Sequence, residues 1–307
     1  MASRTVTAVM TSTVDEVVSQ VKSIDGWGAE AQADLDRIYR EHPFQKRTIL
    51  ARLARQRRDL AGLNELDLAI DRQTEITDQN HIGGAEVVSE LAAAARVSAD
   101  STVIDLGSGL GGSARLLAHM YGCRAWAIES HELRHREAVE LTAMVGLEDK
   151  VTLVHGDVLT CSPPVSDVDV LWGQSMWAHF ADPTPLLARW VPTLRRGGRV
   201  AFEDSYAKRR PRNTTEEALF ANLEKAWQAH LLPLAAWRRV FRASGCRLLS
   251  TADLTGTHAA YLSRLRRASR RWPPGDLPAS EAATWRLAAR ALRAGLIGYV
   301  RIVATRP

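Results

Sequence analysis

The sequence predicts an α/β fold in which a doubly wound, seven-stranded sheet is flanked by helices. A short β-branched run at residues 103–104 leads directly into a glycine-rich loop and then into a helical run over residues 113–120. Six further short apolar runs follow, most of them separated by segments of helical periodicity. This alternation indicates parallel strands joined by helical crossovers.

The chain ahead of the first strand predicts a helical N-terminal cap over residues 1–70. Apolar residues recur with helical period at residues 14–24, 29–40 and 48–63, and Gly26-Trp27-Gly28 interrupts the pattern. We therefore divide the chain into this cap and an α/β domain over residues 71–307.

The α/β domain is predicted element by element from the same two periodicities. The strands are expected at residues 103–104, 125–128, 151–154, 168–172, 199–203, 247–250 and 298–304, and helices at residues 113–120, 133–145, 183–194, 214–230 and 234–244. A helical, arginine-rich insertion over residues 254–296 precedes the last strand and is interrupted by Trp272-Pro273-Pro274-Gly275.

Composition and charge exclude several classes of protein. The 307 residues are 46% hydrophobic and 24% charged, which argues against global disorder. No run is long and apolar enough for a membrane helix, and the N-terminal residues lack a secretory signal pattern. We expect a cytoplasmic protein with no membrane partner.

Neither the cysteines nor the net charge indicates a metal or nucleic-acid protein. Cys123, Cys161 and Cys246 are far apart and form no CxxC pair, so no metal site is predicted. The net charge of +5 is modest, and no nucleic-acid-binding motif is present. We expect no nucleic-acid partner.

The loop after the first strand has the pattern GxGxxG, formed by Gly107, Gly109 and Gly112. Such a loop lets a ligand approach the backbone and the amides of a helix N-terminus. A dinucleotide and S-adenosylmethionine are the two candidate ligands. Asp105, two residues before the first glycine, would repel a pyrophosphate but suits a cationic ligand. Acids that end the next two strands, Glu129 and Asp157, could accept hydrogen bonds from ribose and adenine.

At these residues the chain resembles the class I S-adenosylmethionine-dependent methyltransferases. VIDLGSGLGG resembles the first motif of that family, AIES its ribose-binding acid, HGDVL its adenine motif, and LRRGGRVAFED its later turn and strand. The resemblance extends from about residue 71 to the C-terminus. Residues 78–84 and 172–177 further resemble a bacterial branch that methylates amines, sterols, tocopherols and specialised metabolites.

The resemblance implies a Rossmann-like fold, S-adenosylmethionine as cofactor and a set of cofactor-binding residues. These residues are Asp105, Gly107, Ser108, Gly109, Glu129, Asp157, Val158 and Gln174. The alternative for Asp157 is a helix N-cap, and the loop residues could form a plain strand-to-helix turn.

Residues at the ends of the fourth and fifth strands are candidates for handling the acceptor. We predict His179, Glu203 and Asp204 as candidate catalytic residues, with a structural role as the alternative for His179. Glu203 and Asp204 are adjacent in a strand, so only one of them can face the site. His81, Trp177 and Tyr206 are predicted to contact the substrate.

The predicted function is transfer of a methyl group to nitrogen, oxygen or carbon of a small-molecule acceptor, in bacterial specialised metabolism. In this branch the N-terminal helices and the insertion form a lid, which implies an enclosed acceptor. Nine tryptophans, against five phenylalanines and five tyrosines, could wall its pocket, although most are expected to pack in the core.

Four alternatives stay open at this point. Arg264, Arg266, Arg267, Arg270 and Arg271 could clamp a diphosphate, in which case the enzyme would methylate carbon of an isoprenoid diphosphate. The fold could also catalyse a non-methylating reaction such as a cyclisation. An RNA methyltransferase is disfavoured because Gly173-Gln174-Ser175-Met176 replaces the usual base-flipping motif. A nicotinamide dehydrogenase is opposed by Asp105.

The amphipathic N-terminus suggests a possible homodimer.

Overall fold

The computed structural model describes residues 36–307. The predicted helix at residues 14–24 and most of the one at residues 29–40 lie outside the described residues. Residues 36–41 are helical. Among the described residues, no helix combines the length and apolar character needed to cross a membrane.

The described helices follow the sequence pattern closely, and we number them in chain order. They are α1 (Lys46–Arg55), α2 (Glu65–Ala69), α3 (Ala85–Ala95), α4 (Gly112–Tyr121), α5 (Glu132–Met144), α6 (Thr184–Trp190), α7 (Thr214–Trp227), α8 (Leu234–Ala243), α9 (Thr255–Ala268) and α10 (Ala279–Arg293). The helix expected at residues 48–63 ends earlier, at Arg55, and a single 3-10 turn follows at Leu60–Gly62.

Seven strands form one sheet, as predicted. They are β1 (Thr102–Leu106), β2 (Arg124–Glu129), β3 (Val151–His155), β4 (Val168–Gln174), β5 (Leu194–Ala207), β6 (Arg247–Asp253) and β7 (Ile297–Thr305). Their order in the sheet is β3-β2-β1-β4-β5-β7-β6. The chain therefore winds outward from β1 in both directions.

The expectation of an all-parallel sheet is wrong for the last strand. β7 lies between β5 and β6 and runs antiparallel to both. The connection from β6 to β7 contains α9 and α10, and β7 begins at the edge of the sheet where β6 ends, so the chain re-enters the sheet in the opposite direction.

Both faces of the sheet are covered, because successive strand residues point to opposite sides. Val103 packs with residues of α3 and α4 on one face, whereas Ile104 packs with residues of α6 and α8 on the other. A third apolar cluster joins α1 to the insertion, and includes Phe44, Trp272 and Trp285. The cap and the insertion therefore meet over the same edge of the domain.

A buried ion triad ties α2 to the helix that follows the glycine loop. Arg115 in α4 donates to Glu65 in α2 at 2.9 Å and to Asp78 at 2.6 Å. All three side chains are fully buried. This contact fixes the segment around Asp78 against the N-terminus of α4, beside the glycine loop.

Candidate active site

The glycine loop between β1 and α4 is closely packed on one side. Gly107 has a φ of +66°, and a Cβ at this position would overlap the side chain of Met176. At Gly112 a Cβ would lie 2.6 Å from the carbonyl oxygen of Asp78 and 2.7 Å from the side-chain nitrogen of Gln79. Glycine therefore allows residues 78–79 to approach the first turn of α4.

Two cavities lie near this loop. The smaller one, of about 70 Å³, opens at the carboxyl ends of β1, β2 and β3. The residues that line it are Tyr39, Gly107, Ile128, Glu129, Ser130, His131, Gly156, Asp157, Val158, Ser175, Met176, His179 and Phe180. Four predicted cofactor residues are thus brought together around one cavity: Gly107, Glu129, Asp157 and Val158.

Glu129 is fixed at the end of β2 by backbone amides. Its carboxylate accepts hydrogen bonds from the amides of Gly109 and His131, both at 2.8 Å. Burial raises the pKa of this carboxyl, and the two amide donors oppose the rise. Gly109, predicted as a cofactor residue, therefore also orients the predicted ribose acid.

Two buried polar atoms in residues close to Gly107 along the chain have no hydrogen-bond partner among the described residues, and neither residue lines the cavity itself. They are Oδ2 of Asp105 and Oγ of Ser108. Burial, together with the charge of Glu129, raises the pKa of Asp105 to about 8. Buried polar atoms normally have a hydrogen-bonding partner, so these two fit a ligand that supplies donors and positive charge. The ammonium and sulfonium groups of S-adenosylmethionine have this character.

The remaining predicted cofactor residues serve local structure as well. Asp157 accepts a hydrogen bond from the amide of Leu159 at 2.8 Å, which agrees with the capping alternative, yet it still lines the cavity. Gln174 lines neither cavity. It accepts from Ser113 at 2.9 Å and donates to Glu203 at 2.9 Å, and so links α4 to β5.

A larger cavity of about 220 Å³ lies beneath the cap and the insertion. It is lined by residues of the cap (Ile38, Tyr39, His42 and Phe44), of the strand ends and nearby loops (Asn80, His81, Ile82, Ser175, Ala178, His179, Asp204, Ser205 and Ala229), and of α7, α9 and α10 (Ala226, Trp227, His258, Tyr261, Leu262, Leu265, Glu281, Thr284, Trp285 and Ala288).

Three residues line both cavities and mark where they meet: Tyr39, Ser175 and His179. Ser175 directly follows β4 and has a φ of +54°, in the left-handed region that serine rarely adopts. Its amide donates to the carbonyl of Glu203 at 2.9 Å, which holds this conformation. The strained turn places Ser175 at the junction.

His179 is held at the junction as a neutral imidazole. Its Nδ1 lies 2.9 Å from the carbonyl oxygen of Gln228 and must donate to it, because a carbonyl only accepts. Burial lowers the pKa of the ring, and His230 adds to this effect. The proton therefore lies on Nδ1, and Nε2 is the basic atom.

The two adjacent acids of β5 lie in different surroundings. Asp204 lines the larger cavity, and its carboxylate accepts from the amides of Ala178 at 3.0 Å and Ser205 at 2.7 Å. Glu203 lines neither cavity and is ion-paired with Arg301 at 2.6 Å. Burial raises the pKa of each carboxyl to about 7.

The three predicted substrate residues are not brought together. His81 lines the larger cavity, and its Nε2 lies 3.0 Å from the side-chain oxygen of Gln79. Trp177 is fully buried against Phe202 and Trp237, and lines neither cavity. Tyr206 also lines neither cavity and packs against Gly298.

Sequence reasoning missed His42, His258, Tyr261 and Glu281, which also line the larger cavity. His258 in α9 is 1% exposed, and its Nδ1 has no partner among the described residues. Glu281 in α10 accepts from the indole nitrogen of Trp285 at 2.5 Å. The insertion was expected to form a lid, but the helical period alone did not reveal which face points inward. Trp227 and Trp285, suggested as walls, do line the cavity.

Residues 103–198 match a family model described as a methyltransferase domain. This third of the chain is a class I methyltransferase domain. S-adenosylmethionine is the cofactor of this domain family, as the motifs implied, and the Rossmann-like fold is confirmed. The match covers the glycine loop, Glu129 and Asp157.

Curated relatives of the domain act on small molecules. A glycine/sarcosine/dimethylglycine N-methyltransferase from Actinopolyspora halophila is 29% identical over 133 residues, which are 43% of this chain and 24% of the relative. A sarcosine/dimethylglycine N-methyltransferase from Halorhodospira halochloris is 34% identical over 107 residues, which are 34% of this chain and 38% of the relative. The chain thus matches well under half the length of either enzyme.

Solved structures share most of the fold at low identity. The geranyl diphosphate C-methyltransferase of Streptomyces coelicolor superposes with a TM-score of 0.61 at 17% identity, covering 73% of this chain and 75% of that one. At this identity the likeness extends to the fold alone.

Proposed function

We propose that this chain transfers a methyl group from S-adenosylmethionine to a small-molecule acceptor enclosed in the larger cavity. The observation that supports this proposal is the junction at Tyr39, Ser175 and His179, where the smaller cavity, the proposed cofactor recess, meets the larger and mainly apolar cavity. Methyl transfer requires the acceptor, methyl carbon and sulfur to be held in line and water to be kept out. A covered cavity adjoining the cofactor recess supplies both conditions.

The bound cofactor supplies an electrophilic methyl group on a cationic sulfur. Residues of this chain would supply the rest. Asp105, Ser108, Glu129 and Asp157 would hold the cofactor through hydrogen bonds and charge. The cap and the insertion would exclude water, and His179 at the junction would take the proton that the acceptor loses through its Nε2.

The decisive experiment is calorimetric titration of the full chain with S-adenosylhomocysteine, with NAD as the control. We expect S-adenosylhomocysteine to bind and NAD not to bind. If S-adenosylhomocysteine did not bind, the proposed function would be withdrawn. Release of S-adenosylhomocysteine from S-adenosylmethionine during turnover of an acceptor panel would distinguish methylation from a cyclisation on the same fold.

We expect His179→Asn to lower kcat while leaving the affinity for S-adenosylhomocysteine within about twofold. Loss of a general base costs on the order of a hundredfold or more in rate. Single-turnover rates over a pH range measure the effect, and His119→Asn, on the outward side of α4, is the matched control. Unchanged turnover would remove His179 from the mechanism.

The isoprenoid diphosphate alternative is less well supported. Arg266, Arg267, Arg270 and Arg271 are exposed, and Arg264 pairs with Glu75 at 3.2 Å. None of the five lines the larger cavity. A role in bacterial specialised metabolism, a cytoplasmic location and a homodimer stay predictions.

A further inference from the structure

Two carboxyls in the larger cavity lack a basic partner. Asp204 lies in β5 and Glu281 in the first turn of α10, and both line the cavity. Neither forms an ion pair with any residue in the described part of the chain. Burial raises the pKa of Asp204 to about 7 and raises that of Glu281.

Three fully buried carboxyls of the domain are paired with arginine. Glu203 contacts Arg301 at 2.6 Å, and Glu65 and Asp78 share Arg115. An ionised group buried without a counter-charge costs several kcal/mol, so proteins pair such groups or bind them to a ligand. Asp204 and Glu281 form no such pair: backbone amides hold Asp204, and the part-buried Glu281 accepts only from the indole of Trp285.

Asp105 is another carboxyl without an ion-pair partner among the described residues, and it lies near the end of β1, the strand that leads into Gly107 of the smaller cavity. There the missing positive charge has an evident source, because the cofactor is itself cationic. The same reasoning applied to the larger cavity points to an acceptor that brings positive charge.

The rest of the lining contributes no positive charge. Within residues 36–307, no lysine or arginine lines the larger cavity. Burial lowers the pKa of His81 and of His258 to about 4, and lowers the pKa of His42 and His179 as well. All four imidazoles are therefore neutral at physiological pH.

Aromatic rings complete the cavity wall. Trp227 stacks on His258 with ring centroids 6.4 Å apart, and Trp285 and Tyr261 line the same side of the cavity through α10 and α9. The faces of such rings attract organic cations. Together with two carboxyls, they form an environment that suits a protonated amine attached to an apolar body.

We propose that the larger cavity selects an acceptor that carries a basic nitrogen and no carboxylate or phosphate. This inference rests on the proposed function, and it narrows the acceptor class. An anionic group would meet Asp204 and Glu281 with no basic side chain of the described lining to balance it. The cavity would therefore disfavour amino acids such as the substrates for which the curated relatives are named.

The test uses three probes with the same apolar body: 4-phenylbutylamine, 4-phenylbutanol and 4-phenylbutyrate. Each is titrated calorimetrically into the full chain saturated with S-adenosylhomocysteine. We expect the amine to bind at least about tenfold more tightly than the alcohol or the carboxylate. Binding of S-adenosylhomocysteine is measured first, so failure of the proposed function is separated from failure of this inference.

Two variants test whether the two carboxyls cause the preference for the amine. Glu281→Gln and Asp204→Asn should each weaken amine binding by about tenfold and leave alcohol binding within about twofold. Glu217→Gln, which removes an exposed charge in α7, is the matched control and should change neither. Asp204 also accepts hydrogen bonds from backbone amides, so Asp204→Asn could fail to fold. In that case Glu281→Gln alone tests whether the carboxyls cause the amine preference. An amine that binds no better than the carboxylate, or not at all, overturns the inference, as does an amine preference that survives Glu281→Gln.

Discussion

At the residue scale, Asp105 shows how a binding site can oppose stability. The carboxyl is 3% exposed, and one oxygen has no partner among the described residues. Its pKa of about 8 lies far above the ordinary value of 3.8, so ionising it at high pH destabilises the folded chain. This loss of folding stability occurs at the position where a bound cationic cofactor would offset it.

We therefore expect Asp105→Asn to weaken S-adenosylhomocysteine binding by about tenfold or more and to raise the free energy of unfolding above pH 8. Calorimetry and chemical denaturation measure the two effects on the same samples. Asp100→Asn, an exposed change just ahead of β1, should alter neither. A variant that binds normally would show that Asp105 does not contact the cofactor.

The sequence predicted residues at the ends of strands better than residues on helices. Glu129 ends β2 and Asp157 lies two residues after β3, and parallel strands bring their carboxyl ends to one edge. The choice between Glu203 and Asp204 depended on the pleat of β5, which the sequence does not specify. His258 and Glu281 lie on helices whose inward face is set by packing against α7.

At the scale of elements, the triad of Glu65, Arg115 and Asp78 joins three segments that are distant in sequence. Arg115 also donates to the carbonyl of Leu110 at 2.7 Å, so it braces the glycine loop directly. No local pattern predicts such a contact, because its partners are 37 and 50 residues away. The segment at residues 78–84 was recognised only by resemblance, and the triad gives it a structural role.

Replacing Arg115 with alanine should destabilise the chain by about 3–5 kcal/mol, since two buried carboxyls lose their counter-charge. Denaturant titration of the full chain measures the change. Arg264→Ala removes a half-exposed ion pair with Glu75 and should cost no more than about 1 kcal/mol. Equal losses in the two variants would contradict the role given to the triad.

At the scale of the whole molecule, buried acids and buried histidines give stability a defined pH dependence. The pKa values of Asp105, Glu203 and Asp204 are raised to about 8, 7 and 7, so the folded state holds protons that the unfolded state has lost. Stability from these groups falls as pH rises from about 4 to 8. His81 and His258, with pKa values lowered to about 4, act oppositely below pH 6.5.

We therefore expect Tm to fall by at least a few degrees between pH 6.5 and 8.5, where titration of the acids dominates. A change of about 1 kcal/mol shifts Tm by roughly 2–4 °C in a domain of this size class. Scanning calorimetry at half-unit pH steps measures the profile. Saturating S-adenosylmethionine should flatten it, and a Tm that rises toward pH 8.5 would contradict these assignments.

The antiparallel β7 also affects how the chain can be made. Residues 297–305 leave the ribosome after β5 and β6, yet they lie between these two strands. Until they emerge, β6 has no neighbour in the sheet, and the long inner edge of β5 stays open to pairing with other nascent chains. Closure of the sheet therefore waits until the whole domain has been synthesised, and premature termination before residue 297 would leave a product prone to aggregation.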